Sequence, residues 1–243
     1  MDTENIEGKK GGMGKTITVI IILVVLAVAG YFAIGGNKIK SLTGNEPESV
    51  ATVNGTVIPK SEFDTQLAAT IASYSAQGIT ATTSEQMSQL KKIVIDNLIN
   101  NEILAQEVKA AGITAKPEEV EQQYQAIVTQ SGGADKLKEE LVKNNITDAK
   151  LHENIAKQLE AKEYLLKNID ISTAAATDAE VAQFYTDYSK AQKIAGIKTI
   201  PTLKELSDQI KQKIILDKQN ALATNFIATL RAKATVVISP SVQ

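Results

Sequence analysis

The longest apolar run of the chain lies near its N-terminus, where residues 17–34 include no charged side chain. A helix of this length spans about 27 Å, close to the hydrocarbon thickness of a bilayer. Three lysines precede the run, as in a basic cytoplasmic flank: Lys9, Lys10 and Lys15. We therefore predict a cytoplasmic tail over residues 1–16, a transmembrane signal anchor over residues 17–36 and a polar tether over residues 37–49. The main domain, residues 50–243, is expected outside the cytoplasm.

The same apolar run also fits a cleavable secretory signal peptide. Ala27-Val28-Ala29 has the small-x-small form that signal peptidase prefers, and it follows an apolar stretch of suitable length. Against cleavage, the apolar run continues through Tyr31 and Phe32. We expect an uncleaved anchor, although either outcome places the bulk of the chain outside the cytoplasm. Because the chain has no cysteine, a lipid-anchored lipoprotein is excluded.

Residues 10–16, KGGMGKT, resemble a phosphate-binding loop, in the variant form of the ParA/MinD ATPases with an extra lysine before the glycines. Such a loop needs a buried strand before it and a soluble helix after it. The nine residues that precede it here are too polar for that strand, and a fully apolar run follows. We interpret the lysines as the flank of the membrane segment and expect no nucleotide binding.

Beyond the tether, a strand pattern appears at each end of the domain. Two β-branched runs flank Asn54-Gly55, a strong hairpin signal because both central residues of a type I′ turn need positive φ. A second β-rich stretch covers residues 235–238 and needs a partner strand. Since the hairpin supplies the only other predicted strands, we expect the two ends of the domain to meet in a small sheet.

The pattern between these ends is helical and predicts a mainly α fold. Helix starts are marked by capping boxes, in which Thr and Glu side chains satisfy each other's free N–H groups. The boxes are Thr82 with Glu85, Thr177 with Glu180, and Thr202 with Glu205. The predicted helices cover residues 60–77, 83–111, 117–130, 134–144, 148–168, 178–188 and 202–233.

The helix predicted over residues 83–111 carries an apolar stripe too wide for contact with one neighbour. Its members are Leu90, Ile93, Val94, Ile95, Leu98, Ile99, Ile103, Leu104 and Val108. We therefore predict that this helix is central and packed on several sides.

Composition excludes several classes of function. The chain has 26 basic and 28 acidic residues without a basic run, so nucleic-acid binding lacks its electrostatic footprint. The absence of cysteine and the single histidine, His152, leave no thiol chemistry and no zinc cluster. We place His152 on a polar helix face without a functional role. No nucleophile motif is present, so we predict no catalytic residue, cofactor or metal ligand.

Three segments follow one another in an order typical of one family. They are VATVNGTVIPKSEFDTQL from residue 50, with Glu62 and Phe63; LKKIVIDNLINNEILAQEVKAAGITAKPEEVEQQYQAI from residue 90; and PTLKELSDQIKQKIILDKQNALATNFIATLRAKATVVI from residue 201. Together they resemble the SurA-like chaperones of the bacterial envelope, which include PpiD and PrsA. The resemblance covers residues 50–238 and implies a helical chaperone domain whose N-terminal hairpin and C-terminal strand share a small β-sheet.

The chain departs from that family at one place. Family members commonly insert a parvulin prolyl-isomerase domain between the helix that resembles TDAEVAQFYTDY and the closing helix. Here only residues 189–201, SKAQKIAGIKTIP, intervene. We therefore expect a chaperone domain without isomerase activity, and no enzyme.

The resemblance implies a cradle of helices that holds unfolded or newly translocated polypeptide at exposed aliphatic surface, without ATP. We predict a single-pass, membrane-anchored holdase whose domain lies in the periplasm or on the cell-wall side. The alternative is a membrane-tethered helical adaptor that binds one specific envelope partner. Client-binding residues are not assigned, because a core stripe and a client-binding stripe look identical at helical spacing.

Overall fold

The computed structural model describes residues 48–79, 83–144 and 146–240. This part of the chain is mainly helical, with seven α-helices and one three-stranded sheet. In chain order the elements are β1 (Ser49–Val53), β2 (Thr56–Pro59), α1 (Lys60–Ala76), α2 (Ser84–Ala110), α3 (Pro117–Gln130), α4 (Ala134–Lys143), α5 (Asp148–Asn168), a 3₁₀ turn (Ile171–Ala174), α6 (Asp178–Ile194), α7 (Leu203–Lys233) and β3 (Val236–Ile238).

The sheet joins the two ends of the domain, as predicted. β1 is its central strand and pairs antiparallel with both β2 and β3, so that Ala51 lies opposite Ile58 on one side and Ile238 on the other. Asn54 and Gly55 take φ values of 49° and 84°, the positive values that a type I′ turn requires. The Asn54 N–H donates to the Thr235 carbonyl and its Oδ1 accepts from the Thr235 N–H, each at 2.8 Å, which fixes the turn to β3.

The capping boxes of α6 and α7 are confirmed, with Thr177 and Thr202 as N-cap residues. The box predicted at Thr82 was wrong by one residue. α2 is capped by Thr83, whose Oγ1 accepts from the Gln86 N–H at 3.2 Å while Gln86 Oε1 accepts from the Thr83 N–H at 3.1 Å. Glutamine can replace glutamate in a capping box, and the pair Thr83–Gln86 lies one residue after the predicted pair.

One predicted helix end was also wrong. The helix predicted to end at residue 188 continues to Ile194. The intervening residues are mostly good helix formers, and the chain leaves the helix only at Gly196, whose φ is 78°.

α2 is the central helix, as predicted, and contacts α1, α5, α7 and β1. Leu98 and Ile99 are fully buried in the main core, which the sheet closes through Val50 and Val53. The predicted apolar stripe wrongly included Ile93, which is 44% exposed. Because helical residues are spaced at about 100°, Ile93 lies about 200° around α2 from the buried Ile95, on the side away from it.

Two smaller clusters lie outside the main core. One is formed by α3, α4 and α5 around Leu137, Leu151 and Ile155. The other lies between α6 and the first half of α7, and it consists of Val181, Leu206, Ile210 and Ile214. α7 therefore belongs to two packing units, because Leu230 in its last turn is part of the main core.

Within residues 48–79, 83–144 and 146–240, no helix has both the length and the apolarity needed to cross a bilayer. The cytoplasmic tail, the transmembrane anchor over residues 17–36 and the KGGMGKT motif fall outside the described residues, as does nearly all of the tether. These predictions stay predictions.

Candidate functional site

α6 and α7 form an antiparallel helical hairpin. Lys218, midway along α7, pairs with Glu180 in the first turn of α6 at 2.7 Å, and its Nζ also donates to the Ala175 carbonyl at 2.7 Å. The hydrogen bond from Lys218, together with those from the Thr177 N–H and hydroxyl, lowers the pKa of Glu180 to about 2. Residues 195–202 connect the two helices. Because the contact at Lys218 lies far from this connection, the end of α6 and the start of α7 meet at the opposite end of the hairpin.

The connection at that end is short and ordered by local hydrogen bonds. The Ile197 N–H donates to the Gln192 carbonyl at 3.0 Å, which closes the C-terminus of α6. The Tyr185 hydroxyl donates to the Pro201 carbonyl at 2.9 Å, so the connection is held against α6. Hydrogen bonds from the Thr202 N–H and then its hydroxyl lower the pKa of Glu205, as expected for a capping box.

Aliphatic side chains lie exposed around this connection. Ile194 is 79% exposed, Ile197 is 48% exposed and Leu203 is 36% exposed. We call these three residues the apolar tip. They are not members of the cluster between α6 and α7, so the hairpin is packed without them. Three large aliphatic side chains exposed within one short segment are a candidate apolar binding surface.

The tip was not identified from the sequence. Its residues stand at spacings that a buried helical stripe also uses, and the same sequence pattern is buried elsewhere in the chain. The available signal was that the isoleucines of KIAGIKTIP fall in and beside a connection, between a helix end and a proline. Loop positions more often carry function than packing.

A second feature is a half-buried charged layer between α1, α2 and α5. Burial, and then the charge of the neighbouring Glu102 on α2, raise the pKa of Glu62 on α1 to about 7, against the opposing charges of Lys157 and Lys150 on α5. Gln66, one turn along α1, is buried, and its Oε1 has no hydrogen-bond partner in the described residues. Glu62 therefore keeps its proton up to near neutral pH, and the four charged side chains of the layer are half-buried.

Glu62 and Phe63, which belong to the first family-like segment, both take part in packing within the domain. Phe63 is 3% exposed and packs in the main core, beside the sheet and α2. Glu62 belongs to the charged layer. Neither residue lies at the apolar tip.

His152 lies on α5 among polar and aromatic partners. Its ring stacks on Tyr124 of α3 with centroids 4.2 Å apart, and its Nδ1 lies 2.9 Å from the Asp148 carbonyl. This backbone hydrogen bond raises the pKa of His152, with Glu121 on α3 acting in the same direction. The residue joins α3 to α5, and in the described residues no group of His, Cys, Asp or Glu side chains has the arrangement of a metal site.

Residues 8–189 match the family model of the SurA-like N-terminal domain, which covers most of the chain. The chain therefore belongs to the SurA-like family. The end of α6, the connection that carries the apolar tip, all of α7 and β3 lie beyond the matched residues. The last turn of α7 and β3 nevertheless complete the main core and the sheet.

Among solved structures, the chain is similar to one of two structurally related SurA-like chaperones of Campylobacter jejuni, the virulence factor PEB4 and the periplasmic protein Cj1289. The two chains are 12% identical with a TM-score of 0.48, over 79% of this chain and 99% of the other. No curated protein matches the sequence. The family assignment rests on the family model alone.

Proposed function

We propose that the protein is an extracytoplasmic, ATP-independent chaperone that holds unfolded or newly translocated polypeptide at the apolar tip. Membership of the SurA-like family supports the chaperone class. The exposure of Ile194, Ile197 and Leu203 is the observation that carries the proposed site. Anchoring through residues 17–36 belongs to the same proposal and rests on the sequence pattern.

The physical basis of binding is the removal of aliphatic surface from water. Burying one large aliphatic side chain completely is worth about 1.5–3 kcal/mol. The tip side chains are partly covered already, so the gross gain from a client is about 2.5–5 kcal/mol, before the loss of translational and rotational freedom is subtracted. Binding at a single tip is therefore weak and has little preference among apolar sequences, as a holdase requires.

The connection between α6 and α7 supports a function without isomerisation. It consists of residues 195–202, between Ile194 and Leu203. A segment this short does not accommodate the parvulin domain that related chaperones carry at this place. We infer that the activity of this part of the chain is binding alone.

The test is suppression of aggregation by residues 37–243, mixed with two unrelated unfolded proteins in the absence of nucleotide. We expect both proteins to be kept from aggregating. Suppression of neither, by a fragment that circular dichroism shows to be folded and helical, contradicts the proposal. Tight binding of one envelope partner by the same fragment then assigns the protein to the alternative class of membrane-tethered adaptors.

A further inference from the structure

Four lysines surround the apolar tip. They are Lys190, Lys193, Lys198 and Lys204. None of the four forms an ion pair with another residue of the described ranges. Some lysines elsewhere are paired, as Lys116 is with Glu119 at 2.9 Å, and others such as Lys138 are in no ion pair within the described residues, so the tip differs in having four such lysines within one short segment.

The acidic groups near the tip do not cancel this charge. Residues 188–204 contain no Asp or Glu. Glu205 follows directly, and its carboxylate stays charged at the start of α7, where it accepts hydrogen bonds from the Thr202 N–H and hydroxyl at 2.7 and 2.8 Å. Residues 188–205 therefore carry four positive charges against one negative charge. Asp187 accepts from Gln183 Nε2 at 3.0 Å and lies on the α6 side, and Asp208 lies one turn into α7. The tip is thus a local positive region on a chain whose net charge is −2.

From this charge pattern, and resting on the proposed chaperone function, we propose that the apolar tip and its four lysines select polypeptide segments in which acidic residues flank apolar ones. The aliphatic side chains supply most of the affinity, while the lysines bias the choice among apolar segments by charge complementarity. An apolar segment flanked by lysines is disfavoured by like-charge repulsion. The same surface therefore holds polypeptide and discriminates between clients.

A polypeptide fits this surface better than a lipid bilayer does. Surfaces that lie in the membrane interface typically use Trp, Tyr or Phe to anchor there. Residues 189–204 contain no aromatic residue, and Tyr185 and Tyr188 pack against the cluster between α6 and α7. The exposed Phe184 lies ten residues before Ile194 on α6, outside the tip.

The expected selectivity is moderate and depends on salt. An exposed ion pair changes a binding constant by about 1.5- to 5-fold. With two or more of the lysines engaged, acid-flanked segments should bind about tenfold more tightly than lysine-flanked ones, and this ratio should shrink at high ionic strength.

The experiment uses the full chain in detergent micelles and three fluorescent peptides that share one Leu-Ile-Leu centre and carry Asp, Ser or Lys on both sides. Fluorescence anisotropy should give the affinity order Asp, then Ser, then Lys. The Lys190→Gln/Lys193→Gln/Lys198→Gln/Lys204→Gln variant should bind all three peptides with equal affinity.

A matched charge control removes four exposed or half-exposed lysines outside the hairpin, Lys91, Lys109, Lys138 and Lys143. This variant should keep the affinity order of the wild type. Loss of the order in the control variant assigns the effect to net charge and overturns the proposal.

The remaining outcomes separate selection from the chaperone function itself. Equal binding of the three peptides by the wild-type chain overturns the selection and leaves the proposed function standing. Absence of binding by all three overturns both. If phosphatidylglycerol in the micelles binds at the four lysines and the three peptides bind with equal affinity, the surface is a lipid contact and the proposal is wrong.

Discussion

Replacement of Glu62 by glutamine should make the domain more stable at alkaline pH. Glu62 lies in the charged layer between α1, α2 and α5, where its pKa is raised from 4.5 to about 7. Burial is the largest cause and the charge of Glu102 acts in the same direction, while Lys157 and Lys150 oppose both. The folded protein therefore binds a proton at this position that the unfolded chain has already lost.

The direction of the pH dependence follows from proton linkage. Between pH 4.5 and about 7 the folded state holds more protons at Glu62 than the unfolded state does. The free energy of unfolding therefore falls as the pH rises through this window, and it stays lower above it. Glutamine keeps the shape and the hydrogen-bonding capacity of the side chain but has no proton to lose, so the Glu62→Gln variant should lack this fall.

The magnitude is set by the pKa difference and by solvent screening. A change from 4.5 to about 7 corresponds to at most about 3 kcal/mol. Glu62 is only half-buried, and water screens part of that energy, so we expect about 1–2 kcal/mol. The variant should match the wild type near pH 5 and exceed it by this amount near pH 8.

The assay is urea unfolding of residues 37–243 at both pH values, followed by far-ultraviolet circular dichroism. Glu139→Gln on the exposed side of α4 is the matched control and should leave the pH dependence of stability unchanged. A Glu62→Gln variant that is equally displaced from the wild type at both pH values, or less stable near pH 8, would refute the reasoning.

Two further predictions concern the core and the absence of isomerase activity. Leu98→Ala should lower the free energy of unfolding by about 2–5 kcal/mol, because Leu98 is fully buried at the centre of α2. Leu166→Ala, at a half-exposed position, should lower it far less. Equal losses of the two variants in urea unfolding would argue against α2 as the central helix. The purified domain should not accelerate cis/trans isomerisation of X-Pro bonds in a fluorogenic peptide assay, and measurable catalysis would contradict the absence of isomerase function.

The elements were largely predictable because their signals are local. Capping boxes at Thr177 and Thr202 mark helix starts that the structure confirms, and Asn54-Gly55 marks the hairpin. The closing of the sheet was predictable because a lone strand over residues 235–238 needs hydrogen-bond partners. The errors at Thr82 and at the end of α6 are also local. Thr82 and Thr83 both fit the pattern of a helix cap, and the residues after 188 are also good helix formers.

Exposure was not predictable, because it depends on which helices pack where. Ile93 and Ile194 occur at helical spacings that also fit a buried stripe, yet both are exposed. The raised pKa of Glu62 was not predictable either, because its neighbours Glu102 and Lys157 come from two other helices that are distant in sequence. Only the packed structure separates the core from the apolar tip.

The central claim is that the apolar tip holds unfolded polypeptide. The most direct measurement compares aggregation suppression by the wild-type chain with that of an Ile194→Ser/Ile197→Ser/Leu203→Ser variant. The control removes three other exposed aliphatic side chains, namely Ile93, Val142 and Leu166, which are 44, 69 and 48% exposed.

Both variants should remain folded, since each replaces partly or largely exposed side chains, and circular dichroism checks this. The tip variant should lose most of the suppression of two unrelated clients, while the control variant should keep it. Full suppression by a folded tip variant would contradict the account and place the binding surface elsewhere.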